Sequence, residues 1–163
     1  MQLYLKQKVF AIREKFNFFD ADQNLVYRAE GSFFALPKRY TLIQNERPVV
    51  EIERKIFTLL AEYKIFSPND PTDPIRLKKK FSFKQNFDLF TPNGLYKIEG
   101  SLFGFSFSLI DTAGASVMSV QKKYLSWGDA YEIFIDEAKI DPALACGIII
   151  SFDDAVHSGN NNR

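Results

Sequence analysis

The sequence predicts a mainly β protein: a closed antiparallel barrel of about twelve strands around a central hydrophobic C-terminal α-helix. Three observations carry this. A short motif recurs along the chain with turn residues between its copies. Aromatic residues are abundant, 17 Phe and 7 Tyr, in a chain with few helix-forming runs, which favours sheet. Near the end lies one apolar run, Ala143 to Phe152, broken only by Ser151.

The motif is an aromatic, any residue, then two large apolar residues. Its copies begin at Phe16, Tyr40, Tyr63, Phe87, Phe107 and Tyr131, at a nearly constant interval that shortens once, before Phe107. Six positions ahead of the aromatic, five copies carry a further Phe or Leu: Phe10, Phe34, Phe57, Phe81 and Leu125. Each copy but the last is followed by turn residues and a second strand. Asp20 to Asn24 leads into Leu25, Gln44 to Pro48 into Val49, and Ser67 to Pro74 into Ile75. Thr91 to Gly94 leads into Leu95, and Asp111 to Gly114 into Ala115. Asn, Asp, Gly and Pro supply the backbone angles that hairpins need. Within the strands apolar residues alternate with polar ones, as at Phe105, Phe107 and Leu109 between serines, or at Tyr131, Ile133 and Ile135. Period two means one buried face and one wet face. With a first strand at Leu3 to Leu5 the count reaches about twelve, and a twisted sheet of that size closes to remove its edges.

A barrel of ~8 strands is filled by its own side chains, and width grows with strand number. A wider barrel must hold something apolar, and the C-terminal run is suited to that. Asp141 is a good N-cap and Pro142 falls at the first helical position. A helix apolar on every side must be buried. The run is too short for a membrane span, which needs roughly 20 residues. A buried strand is the rival, since Ile148, Ile149 and Ile150 are β-branched. A helix over 142–157 would be roughly 24 Å long, and Ala143, Ala145, Cys146 and Gly147 would let the wall approach closely. The barrel domain is expected over 1–157, followed by a disordered polar tail, 158–163.

Charge nearly cancels, 21 basic residues against 20 acidic, which gives no support for a nucleic-acid binder. The single cysteine, Cys146, excludes an internal disulfide or a multi-cysteine zinc site. The first residues lack the apolar stretch of a signal peptide. The expectation is a cytoplasmic monomer with no transmembrane segment, peripheral if it meets a membrane.

Several stretches resemble the LURP-one-related family. They are Phe33-Phe-Ala-Leu-Pro, Lys79-Lys80 before Phe81-Ser-Phe, Gly100-Ser-Leu-Phe-Gly, Gln121 through Tyr131, and the apolar C-terminal segment. Ser126-Trp127-Gly128-Asp129 falls in the most specific part, and the likeness runs from about Leu3 to Val156. The family is similar in fold to the tubby C-terminal domain and to phospholipid scramblases. The resemblance therefore implies a twelve-stranded barrel around a hydrophobic helix, with no catalytic motif to carry over. Tubby domains bind phosphoinositide head groups through basic residues, although no motif here matches that site residue by residue. The long membrane-spanning tail of scramblases has no counterpart.

If a helix fills the barrel, function must come from the surface, rims or loops. The candidate binding residues are the basic clusters Arg54 and Lys55; Lys78, Lys79 and Lys80; and Lys122 and Lys123. Each closes the second strand of a repeat unit, so they are expected to gather near one rim. Such a rim would meet an anionic lipid or phosphate surface, or a protein partner; alternatively, the charges only keep strand ends wet and block edge pairing. No catalytic residue, metal ligand or cofactor is expected. His157 lacks a nucleophile beside it, Asp153 and Asp154 end the apolar run, and Asp20 to Asn24 lacks the rest of a calcium loop. Trp127-Gly128-Asp129 reads as a structural corner. Two other functions remain open: a carrier of a small apolar ligand inside the barrel, and a hydrolase working with carboxylates alone.

Overall fold

The computed structural model describes residues 1–6, 15–32, 36–81, 86–102, 106–125 and 128–157. Phe10, Phe34, Phe105, Trp127, the His157 side chain and the tail from 158 onward fall outside what is described, as do the expectations placed on them. The strands in order are β1 (Gln2–Lys6), β2 (Lys15–Phe19), β3 (Leu25–Gly31), β4 (Arg39–Gln44), β5 (Arg47–Arg54) and β6 (Glu62–Ser67). There follow β7 (Asp70–Lys79), β8 (Phe87–Thr91), β9 (Gly94–Ser101), β10 (Ser106–Ile110), β11 (Ser116–Leu125) and β12 (Gly128–Ile135), then one helix, α1 (Pro142–His157). Each strand pairs antiparallel with its neighbours in sequence, and β1 pairs with β12 through Leu3 opposite Ile133, so the sheet closes. All six motif copies fall on even-numbered strands and all the second strands on odd ones.

The alternation works as the period predicts. Leu3, Phe18, Leu42, Ile52, Ile65, Leu77, Leu89, Leu109 and Ile133 point inward and are buried. They close on α1, whose Ala145, Cys146, Ile148, Ile149 and Ile150 are wholly buried. The triple isoleucine is helical rather than extended: burial from every side outweighs the weak strand preference of β-branched side chains. Asp141 caps the helix as expected, its carboxylate accepting from the Ala143 N–H at 2.8 Å and the Leu144 N–H at 3.2 Å. Gly147 is where the wall comes closest. A Cβ there would lie 2.7 Å from Cγ2 of Ile65 and 3.2 Å from Cγ1 of Val50.

The turns sit where their residues require. Asn45 and Glu46 both have positive φ, +49° and +61°, between β4 and β5, as a two-residue hairpin of primed type demands. One boundary differs from expectation. The stretch Ser67 to Pro74 reads as a turn, but the turn is only Pro68 and Asn69, and β7 already begins at Asp70. Pro71 and Pro74 are tolerated because the β6–β7 register shifts there, between Ile65 and Ser67. A proline in such an irregularity forfeits no ladder hydrogen bond.

Since every pairing is antiparallel, all odd strands end at the same mouth of the barrel. Contacts at the two ends of α1 fix its direction: its last turn lies at that mouth and its N-terminus at the other.

Candidate functional site

The mouth at the helix C-terminus collects charge. The Asp154 side chain, on the last turn of α1, is buried there. Tyr40, at the start of β4, donates its hydroxyl proton to Oδ1 at 2.8 Å, and Tyr63, at the start of β6, donates to Oδ2 at 2.6 Å. Nζ of Lys38 also donates to Oδ1, and the Arg54 guanidinium lies 3.4 Å from Oδ2. Burial alone would raise the Asp154 pKa; the hydrogen bonds from Lys38, Tyr63 and Tyr40, with the Lys38 charge, outweigh it and hold the carboxyl below its ordinary range. Lys38 lies 5.2 Å from the Tyr40 ring centroid and Arg54 lies 5.9 Å from that of Tyr63. Two cations at a helix C-terminus also meet the negative end of its dipole. Asp154 takes side chains from three strand segments, because phenol and ammonium groups can reach a carboxylate sunk inside the wall.

The predicted basic residues of β5 and β7 lie at this mouth, and those of β11 lie further round the barrel. Arg54 ends β5 and belongs to the Asp154 cluster directly. The Lys55 ammonium pairs with Glu62 at 2.6 Å, and Lys78 reaches the same oxygen at 3.6 Å. Burial pushes Glu62 up, but these two lysines prevail and its pKa is lowered. Lys79 ends β7, with its N–H on the Ala61 carbonyl at 2.9 Å. Lys80 pairs with Asp88 at 3.1 Å. Further round the barrel, Lys123 pairs with Glu132 at 3.2 Å and Lys122 lies 5.2 Å from the Tyr124 ring centroid. Glu132 is buried on the outer face under Gln2, Tyr4 and Gln121, with its pKa lowered by Lys123 and the two glutamines against the effect of burial. The topology thus brings the ends of β5, β7 and β11 to one mouth. Two of the four partner carboxylates, Asp154 and Glu62, are each shared by two cations.

Residue pattern did not reveal Lys38, Tyr40 and Tyr63 as partners of Asp154. One partial signal was present: the repeated aromatic is Tyr rather than Phe in the second, third and sixth copies, and the hydroxyls of the second and third meet the carboxylate.

Depressions also lie elsewhere, among them a shallow one of about 480 Å³ lined by Met1, Gln2, Met118 and Phe134. At the other mouth a cleft of about 250 Å³ is lined by Ile65, Ile75, Tyr96, Ile140 and Leu144, with Asp70, Asp73 and Lys139 at its rim. A groove of about 410 Å³ runs along β8 and β9, between Lys80, Asp88, Lys97 and Glu99.

A model of the LURP-one-related family matches residues 1–153. The chain belongs to this family. It is 33% identical over 159 residues to the uncharacterized protein YxjI of Bacillus subtilis (strain 168), covering 96% of this chain and 93% of the relative. The X-ray structure of a protein from Arabidopsis thaliana superimposes with a TM-score of 0.66 at 16% identity, over 94% of this chain and 89% of that one. That likeness concerns fold. The tubby-like arrangement implied by the sequence resemblance is the one this LURP-one-related barrel adopts. Among the described residues, no helix of this family member is long and apolar enough to cross a membrane.

Proposed function

We propose that this LURP-one-related barrel is a non-enzymatic docking module that rests its basic mouth on an anionic membrane surface. What supports the reading is that Lys38 and Arg54 share Asp154 on the last turn of α1, while Lys55 and Lys78 share Glu62 at the same mouth, where β7 also ends in Lys79. Basic residues near an anionic leaflet contribute about 1 kcal/mol each, and less as salt screens them. Sedimentation with vesicles tests this. Binding is expected to vesicles containing acidic phospholipid, to be weak to neutral ones, and to fall steeply between low and physiological salt. Equal recovery with both vesicle types at low salt would remove the reading.

The two alternatives have less support. A carrier needs a chamber inside the barrel, and α1 occupies the barrel axis with wholly buried side chains. A carboxylate hydrolase needs an acid held protonated near neutral pH. Among the described residues, every carboxyl whose pKa departs from its ordinary value moves down: Asp20, Glu62, Asp70, Asp111, Glu132 and Asp154.

A further inference from the structure

Two of the five Phe or Leu residues placed six positions ahead of a motif aromatic, Phe57 and Phe81, stand outside the core. Phe57 is 100% exposed and Phe81 91% exposed. The odd-to-even connections carry two other exposed large apolar side chains, Leu59 at 95% and Leu36 at 88% exposure. Ile56 is also exposed. Backbone hydrogen bonds tie these connections together: the Arg54 N–H donates to the Lys38 carbonyl at 3.0 Å, and the Lys79 N–H to that of Ala61 at 2.9 Å. Leu36, Phe57, Leu59 and Phe81 therefore share the mouth that carries Arg54, Lys55 and Lys78 to Lys80. Phe57 has a φ of +59°, a conformation that bulky residues rarely adopt. The chain accepts that strain at a position where the ring makes no use of the protein interior.

We propose that these apolar tips insert into the interfacial zone of a lipid bilayer, with the surrounding cations meeting the anionic head groups. This rests on the membrane reading above and adds to it a depth and an orientation. Exposed aromatic and leucine side chains ringed by lysine and arginine match the two layers of a bilayer surface, an apolar boundary under a charged one. A protein groove that accepted the same tips would need carboxylates around its edge; the lipid surface supplies both chemistries in one plane.

The experiment uses the whole chain with a single surface cysteine. Cys146 is buried within α1, so a thiol-reactive environment-sensitive fluorophore can be directed to Phe57→Cys. The same label at Leu95→Cys, exposed at the opposite mouth, is the control. On vesicles containing acidic phospholipid the Phe57→Cys label is expected to brighten and shift to the blue, and the Leu95→Cys label to stay as in water. A Phe57→Ser/Leu59→Ser/Phe81→Ser variant is expected to keep its melting temperature, these side chains being exposed, and to lose on the order of 100-fold in partitioning. Acidic vesicles that bind the variant as well as they bind the unchanged protein, with a Phe57→Cys label that remains in water, would overturn insertion and leave electrostatic docking standing. Neutral vesicles that capture the protein as well as acidic ones, with the label in the bilayer, would support insertion and overturn the electrostatic reading. An unchanged protein that binds neither vesicle type would overturn both.

Discussion

Asp154 joins the end of the central helix to the wall through Tyr40, Tyr63, Lys38 and Arg54, so a single carboxylate is shared among partners from separate turns of the barrel. Replacing it with asparagine leaves two cations facing a neutral amide. Removing one partner of a buried ion pair costs about 3–5 kcal/mol; the partial exposure of Lys38 and Arg54 argues for the lower end. The pH dependence has a definite sign. The folded-state pKa of Asp154 is depressed, so its contribution is fully present above the unfolded value, about 3.9, and is lost as pH falls through the folded one. Urea denaturation should therefore show Asp154→Asn well below the unchanged protein at pH 7, with the gap closing below about pH 4. A gap that stays constant would mean that Asp154 is not ionised in the fold. This site was only half legible in the sequence. The aspartate ending an apolar run was visible, but its partners lie as far as 116 residues away, and local pattern does not report such distances.

At the scale of the elements, α1 and the strands were legible almost to their ends, because period two and an apolar run bounded by Asp-Pro are local signals. The misplaced start of β7 came from reading Pro71 and Pro74 as turn residues; a bulge, invisible in sequence, makes them acceptable within a strand. The apolar residue repeated before five of the six motif copies was legible as a recurrence and mute about direction, since a Phe in a loop carries no period to say which way it faces. The fit of helix to wall is open to direct measurement. Gly147 faces Ile65 and Val50 with no room for a side chain. Gly147→Val is expected to cost about 1–3 kcal/mol by overpacking, despite valine being the better helix former. Ile65→Ala in the same chain should return part of that loss, and equilibrium unfolding of the two single variants and the double variant gives the coupling. Strict additivity would place the contact elsewhere.

For the whole molecule, antiparallel closure has a consequence that no single strand contains. It sends the end of every odd strand to one mouth, so that basic strand ends and apolar connections far apart in sequence share a face with the C-terminal end of α1. Near-neutral total charge, +1 at pH 7, hides this polarity. Docking on an anionic surface, as proposed, depends on where charge sits rather than on how much there is. Lys78→Gln, Lys80→Gln and Lys122→Gln combined remove three cations from the basic mouth and its flank. Arg47→Gln, Lys64→Gln and Arg76→Gln remove the same number from the far mouth and the wall, and give the same net charge. Partitioning of these two variants onto acidic vesicles at low salt is the most direct test. The account predicts that the first loses on the order of 100-fold and the second stays near the unchanged protein. Equal losses in the two would contradict it.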